Sequence, residues 1–277
     1  MGQTCTNCGH TLTGKYCSSC GQKAFRLDDW SLKRLVVGVF KDFSHFDFKL
    51  FKDIPKLVFN PGYLTNEFVE GRINSHIKPI TMFVWLNILF FIGGYRYVLP
   101  QNKLSAADYY VAGLEERVLA KASLMQLSEA AGTLRFNTLL EGAQKSLFFW
   151  LIPVFAMLTM VFFLFQKRNY YVKHFVYSVH FWSYFFLFFT VVPILLEIVG
   201  IGWRWLTGAP LFSTVDGWVF LTLFALCVYP YTLLAIKKVF AIRWFAAISL
   251  AFLISIGVHF LREWAIAFTY YLAYWRM

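Results

Sequence analysis

Charge is scarce in this 277-residue chain, at 15% of residues, and acidic charge is scarcer still: 15 Asp+Glu stand against 26 Lys+Arg. Soluble domains carry about 25% charged residues. With 58% hydrophobic residues and a mean hydropathy of +0.55, the chain falls outside the soluble class. A cleavable signal peptide is also lacking, because the first 29 residues contain no continuous apolar core. The first membrane span is then expected to act as the insertion signal. Catalytic signatures are missing too. No Gly-x-Ser-x-Gly elbow, phosphate loop, Asp-rich phosphotransfer motif or paired catalytic carboxylates occur. No internal repeat of the kind that builds many transporters stands out. These absences argue against an enzyme and leave transport unforced.

What is present is a series of apolar runs of roughly 20 residues, the length that crosses about 30 Å of hydrocarbon. They lie at 80–99, 146–165, 175–199, 217–236 and 239–261. The expected fold class is an all-α polytopic membrane protein of about five transmembrane helices with a small N-terminal zinc ribbon. Flanking charge alternates. Residues 1–79 carry 11 Lys+Arg and 7 Asp+Glu, whereas residues 100–146 carry five of each. Lys167, Arg168 and Lys173 then cluster, Arg204 and Asp216 cancel, and Lys237, Lys238 and Arg243 cluster again. The positive-inside rule places the N-terminus in the cytosol and the C-terminus outside. Tyr95, Tyr97, Tyr170, Tyr171, Trp203 and Trp205 fall at the interfaces. Residues 262–277 are too short to span, and are expected in the interface or as an extension of the fifth helix.

Three regions follow: a head over 1–24, cytosolic amphipathic helices with a Pro-Gly/Gly-Arg segment over 25–79, and a bundle over 80–277 with an extracytoplasmic helical loop at 100–146. In the head, CTNCGHTLTGKYCSSCGQ pairs Cys5 with Cys8 and Cys17 with Cys20. Four soft thiolates suit a tetrahedral zinc ion, and Gly9 and Gly21 supply the backbone freedom a knuckle needs. Gly14 and Tyr16 fit a tight hairpin between the knuckles. A reducing cytosol disfavours disulfides, and the duplicated motif is unlike a thioredoxin site. An iron–sulfur centre uses the same ligands and stays open. The expected cofactor is one structural Zn2+, whose binding would supply the folding energy of a head without a core.

Helical spacing of apolar residues recurs over 30–43 and 49–59, with Lys on the other faces and Pro55 expected to interrupt or kink the second stretch. Such helices either lie among lipid headgroups or pack on the spans. In the loop 100–146, Val111, Leu114, Val118 and Met125 form a stripe, and Gly132 is expected to separate two helices. Asn60-Pro61-Gly62 reads as a turn, with Thr65 or Asn66 capping a short helix through Arg72. Glu67, Glu70, Arg72 and His76 then form a polar cluster below the membrane. It either contacts a lipid phosphate or a partner, or ties the head to the bundle. Among Asn87, His180, Glu197 and His259, His180 is the most informative intramembrane group, because Tyr177 and Tyr184 share its face. That stripe reads as a polar cavity or as an interhelical hydrogen bond.

The motifs CxxCG…YCxxCGQ and FNPGYLTNEFVEGRINSHIKPITMF (59–83) together resemble a family of bacterial membrane proteins classed as domain of unknown function 3667. The resemblance covers about the first 95 residues and rests on Pro61, Gly62, Gly71, Arg72, His76 and Pro79. His76 stands where the family more often has an aromatic residue. It implies a zinc ribbon ahead of several spans and carries no activity. A binding or scaffold role is therefore expected, with membrane lipids and a cytosolic or membrane protein as partners. The alternative is a transporter or lipid-handling protein built around His180. The head lacks a basic stripe and stacked aromatics, which argues against nucleic acid.

Overall fold

A computed structural model describes residues 3–24, 47–95, 98, 103–164, 170–209, 222 and 224–277. The amphipathic stretch at 30–43 lies outside the described residues. Among them the chain is helical, without strands, apart from two isolated bridges in the head.

Two short helices, α1 (Lys49–Phe59) and α2 (Tyr63–Val69), precede the apolar helix α3 (Pro79–Leu89), which continues as a π-helical turn over Phe90–Gly94. Then come α4 (Ala107–Tyr110), α5 (Leu114–Leu124), α6 (Glu129–Phe162) and α7 (Tyr171–Thr207). A π-helical segment over Phe224–Val228 leads into α8 (Tyr229–Phe240), and α9 (Trp244–Arg276) ends the chain.

Among the described residues three helices, α6, α7 and α9, are long and apolar enough to cross a membrane, where the sequence gives five candidate spans. The first predicted span is the shorter apolar helix Pro79–Gly94. The fourth is partly outside the described residues. The fifth begins at Trp244 and not at 239, because Ala241 takes a left-handed conformation (φ 51°) and breaks the chain from α8. From there α9 runs 33 residues without interruption, about 50 Å at 1.5 Å per residue, so 262–277 is the continuation of the same helix.

Gly132 does not separate two helices. It lies inside α6, where a Cβ would come 2.4 Å from that of Ala122 on α5. The break falls earlier, at left-handed Gln126, and Ser128 caps α6 by accepting the Ala131 N–H at 3.3 Å. In the same loop Val111, Leu114 and Val118 are buried, but Ala122 and not Met125 completes the stripe. Nor does Pro55 interrupt α1.

The N-terminal half of α7 is the axis of the bundle. Phe186 stacks on Phe90 of the π-turn at 4.9 Å and meets Phe148 of α6 edge-on at 4.9 Å. Phe155 of α6 packs on Phe181 at 4.6 Å, and Tyr231 of α8 stacks on Tyr184 at 3.7 Å. Each aromatic pair adds about 0.5–1.5 kcal/mol beyond its area. The bundle has two distinct ends. At one, α1 and α2 meet the start of α7 and the last turns of α8. At the other, α4 and α5 cover the C-terminal end of α9: Tyr110 stacks on Tyr270, whose hydroxyl donates to the Lys103 carbonyl at 3.0 Å.

Candidate metal centre and its docking loop

The head is two copies of one turn, offset from Cys5 to Cys17. In the first, the Cys5 N–H donates to the His10 carbonyl and the Gly9 N–H to the Cys5 carbonyl, both at 2.8 Å. In the second, Cys17 and Gln22 pair at 2.8 Å, and Gly21 and Cys17 at 2.9 Å. Gly9 (φ 75°) and Gly21 (φ 71°) occupy the left-handed conformation that closes each turn. The bridges Thr4–Thr11 and Tyr16–Lys23 lie on each knuckle, so the hairpins are within the knuckles and not between them.

The four sulfurs converge. Cys5 and Cys20 lie 3.6 Å apart, Cys8 and Cys17 lie 3.5 Å apart, and all four are within 4.8 Å of one another. A tetrahedron of sulfurs about 2.3 Å from one ion has edges of about 3.8 Å, so the set fits a single metal ion. The Cys20 N–H, against desolvation and aided by the Ser19 N–H, holds the Cys17 thiol down at about 6. Cys8 gains a lowering hydrogen bond at His10, yet burial and the thiols of Cys17, Cys20 and Cys5 push it up to about 11. A second negative charge among bare thiols is opposed, and one cation shared by all four removes that conflict.

The head is seated on the loop between α2 and α3. Gln22, 7% exposed, makes four bonds at once. Its Nε2 donates to the Gly71 carbonyl (2.6 Å) and to Thr6 Oγ1 (3.0 Å), while its Oε1 accepts the N–H groups of Ile73 (3.1 Å) and Asn74 (3.0 Å). Thr6 donates to the Gly71 carbonyl at 2.9 Å, Ser75 donates to Asn7 at 3.0 Å, and Asn74 donates to the Cys20 carbonyl. Lys49 of α1 holds the same loop through the Asn74 carbonyl at 3.0 Å.

Behind the loop the structure brings together Glu67, Glu70, Arg72 and His76. Arg72 grips Glu67 with two bonds (2.6 and 2.7 Å) and also pairs with Glu70. Its hydrogen bonds hold Glu67 below the usual carboxylate range and raise its own value. His76 Nδ1 lies 2.9 Å from Asp53 Oδ1, and its Nε2 lies 3.7 Å from Glu67. Asp53, with no exposed surface, also accepts Lys56 Nζ at 2.9 Å and the Ile77 N–H at 2.8 Å. Burial opposes its charge, but the bonds from Lys56, Ile77 and His76 outweigh that and keep its carboxyl low. These bonds tie α1, α2 and the docking loop to one another, so the cluster braces the loop.

Thr65 and Asn66 do not cap α2. Gly62 begins that helix (φ 78°), and the helix ends at Val69, short of Arg72. Thr65 instead reaches His180, its Oγ1 lying 2.9 Å from His180 Nδ1. Tyr177, His180 and Tyr184 are all buried in packed contacts: Tyr184 stacks on Tyr231 and donates to the Cys227 carbonyl at 3.3 Å. His174, absent from that stripe, is buried a turn earlier against Phe240 (4.8 Å) and 3.2 Å from Thr159 Oγ1. Sequence reading missed Gln22, Asp53 and Thr65. Only Asp53 left a signal, as an acid within the apolar stripe of Leu50 and Leu57.

Residues 47–91 match the family described as Protein of unknown function (DUF3667). Over that segment the chain resembles this family. The segment holds α1, α2, the docking loop and α3, and with them Asp53, Glu67, Arg72 and His76; the four cysteines lie outside it. No curated protein and no solved structure matches the chain.

Proposed function

We propose that the protein is a non-catalytic scaffold of the bacterial inner membrane that presents a zinc-bound head to a protein partner in the cytosol. The observation that carries this reading is the seating of the head: it is bonded to the bundle on one side and open on the other. His10, Lys15 and Tyr16 are exposed, Tyr16 at 63%, and are not among the head residues bonded to the loop. Four thiolates close the coordination sphere of a zinc ion, which leaves no position for water or substrate. On this reading α3 with its π-turn and the segment ending in α8 complete five crossings. Lys173, Lys237, Lys238 and Arg243 then fall at the head end, while residues 100–146 at the other carry five Lys+Arg and five Asp+Glu, as expected for a cytosolic head.

A photo-crosslinking residue at Tyr16, activated in the native membrane, tests this. A discrete protein adduct that disappears in Cys5→Ser supports the scaffold. Adducts to lipid alone, or none, contradict it. A second reading, transport or lipid handling, draws on the buried Thr65–His180 contact and the buried Tyr177 hydroxyl, which has no hydrogen-bond partner among the described residues. It requires that His180→Ala abolish a flux or lipid-exchange activity in reconstituted vesicles while expression and metal content are kept.

A further inference from the structure

We propose that the loop 71–75 is a receptor for the metal-bound form of the head, and that Gln22 is the residue through which metal occupancy is passed to the membrane entry of the bundle. The inference stands on the docking geometry and does not depend on a partner for the outer face.

Every head residue bonded to the loop is a cysteine or lies within two residues of one: Thr6, Asn7, Cys20 and Gln22. Thr6 and Asn7 belong to the first knuckle, Cys20 and Gln22 to the second. The loop therefore engages both knuckles together. Besides the Gln22–Thr6 bond, itself made at the loop, an ion shared by the four sulfurs is what fixes one knuckle relative to the other. Among its described residues only Cys5, Cys17 and Gln22 are buried, so no apolar core holds the two turns in register once the ion is gone.

The loop depends on the head in return. It has no regular structure of its own, and the N–H groups of Ile73 and Asn74 find their acceptor in Gln22. Both bonds are part-buried, so without Gln22 these donors must turn to water, and loss of Gln22 favours a loop open to solvent. The same loop carries Arg72, which holds Glu67 of α2 and Glu70 just after it, and runs directly into His76 and Ile77, both bonded to Asp53 of α1. Pro79 then starts α3. Metal loss is thus transmitted along bonded neighbours to the positions of α1, α2 and α3. By reciprocity, an undocked head holds its metal less tightly.

The test uses the full chain in lipid nanodiscs, with bound metal counted in each sample and amide hydrogen exchange followed over 71–77. Gln22→Ala, which leaves all four cysteines, is expected to keep one metal per chain and to raise exchange at Ile73 and Asn74 about tenfold or more. A chelator added to the unaltered protein is expected to do the same, with the buried half of α7 unchanged. Asn74→Ala combined with Ser75→Ala leaves the head sequence intact and is expected to release metal to a chelator about fivefold faster. Unchanged exchange in metal-retaining Gln22→Ala, unchanged exchange after chelation, or unchanged metal release from the loop variant would each overturn the proposal.

Discussion

Thr65 Oγ1 and His180 Nδ1 meet at 2.9 Å, fully buried, across 115 residues of sequence. The pair joins the family segment to the central helix of the bundle. Removing one partner strands the other without water, at a cost of about 1–3 kcal/mol. Thr65→Val and His180→Phe should each lower the melting temperature in detergent, Thr65→Ser should not, and the double variant should cost less than the sum of the two. Additive losses would mean that the contact contributes nothing as a pair.

Acid should act on the brace. Asp53 and Glu67 are both held below their ordinary values, so the stability they contribute is full above about pH 4. It is lost as the pH falls further, through their lowered folded values. Asp53→Asn and Glu67→Gln should therefore be less stable than the unaltered protein at pH 7, with a shallower decline below about pH 4. Unfolding curves across pH 2.5–7 in detergent check this, and parallel declines would contradict it.

Gly62 is fixed twice over. Its φ of 78° is left-handed, and a Cβ there would come 2.9 Å from the Ala235 carbonyl and from Val239 on α8. Gly62→Ala should cost upwards of about 1 kcal/mol through conformation and close approach together. Thermal unfolding measures the loss, and a neutral substitution would show that α2 and α8 are not in this contact.

The outward face of α1 carries Phe48, Phe51 and Phe59, the last 85% exposed, while Leu50, Asp53 and Leu57 face the protein. Asp53 binds the Ile77 N–H just before α3, so this face lies level with the start of that apolar helix. A photo-crosslinking analogue at Phe59 should give lipid adducts in nanodiscs. Adducts confined to protein would place α1 away from the bilayer.

The legibility of this chain follows from the range of the interactions involved. Local signals were readable: the cysteine spacing sets the sulfur cluster, Pro61-Gly62 marks a turn, and apolar runs mark helices. The separation within 100–146 was misread at Gly132 because a glycine looks alike whether it ends a helix or admits Ala122. The seating of Gln22 on Gly71, Ile73 and Asn74 is a tertiary relation between a polar residue and backbone groups that any sequence would supply. Residues 262–277 leave two readings open, interfacial or an extension of the fifth helix, because Arg262 and Glu263 interrupt the apolar pattern; charge does not break a helix, and α9 continues through them.

If four cysteines share one metal ion and so seat the head on the bundle, native mass spectrometry of the intact protein released from its membrane should find one zinc per chain, lost in Cys17→Ser with the helical bundle still folded. A chain without metal, or one carrying the mass of an iron–sulfur cluster, would contradict the account.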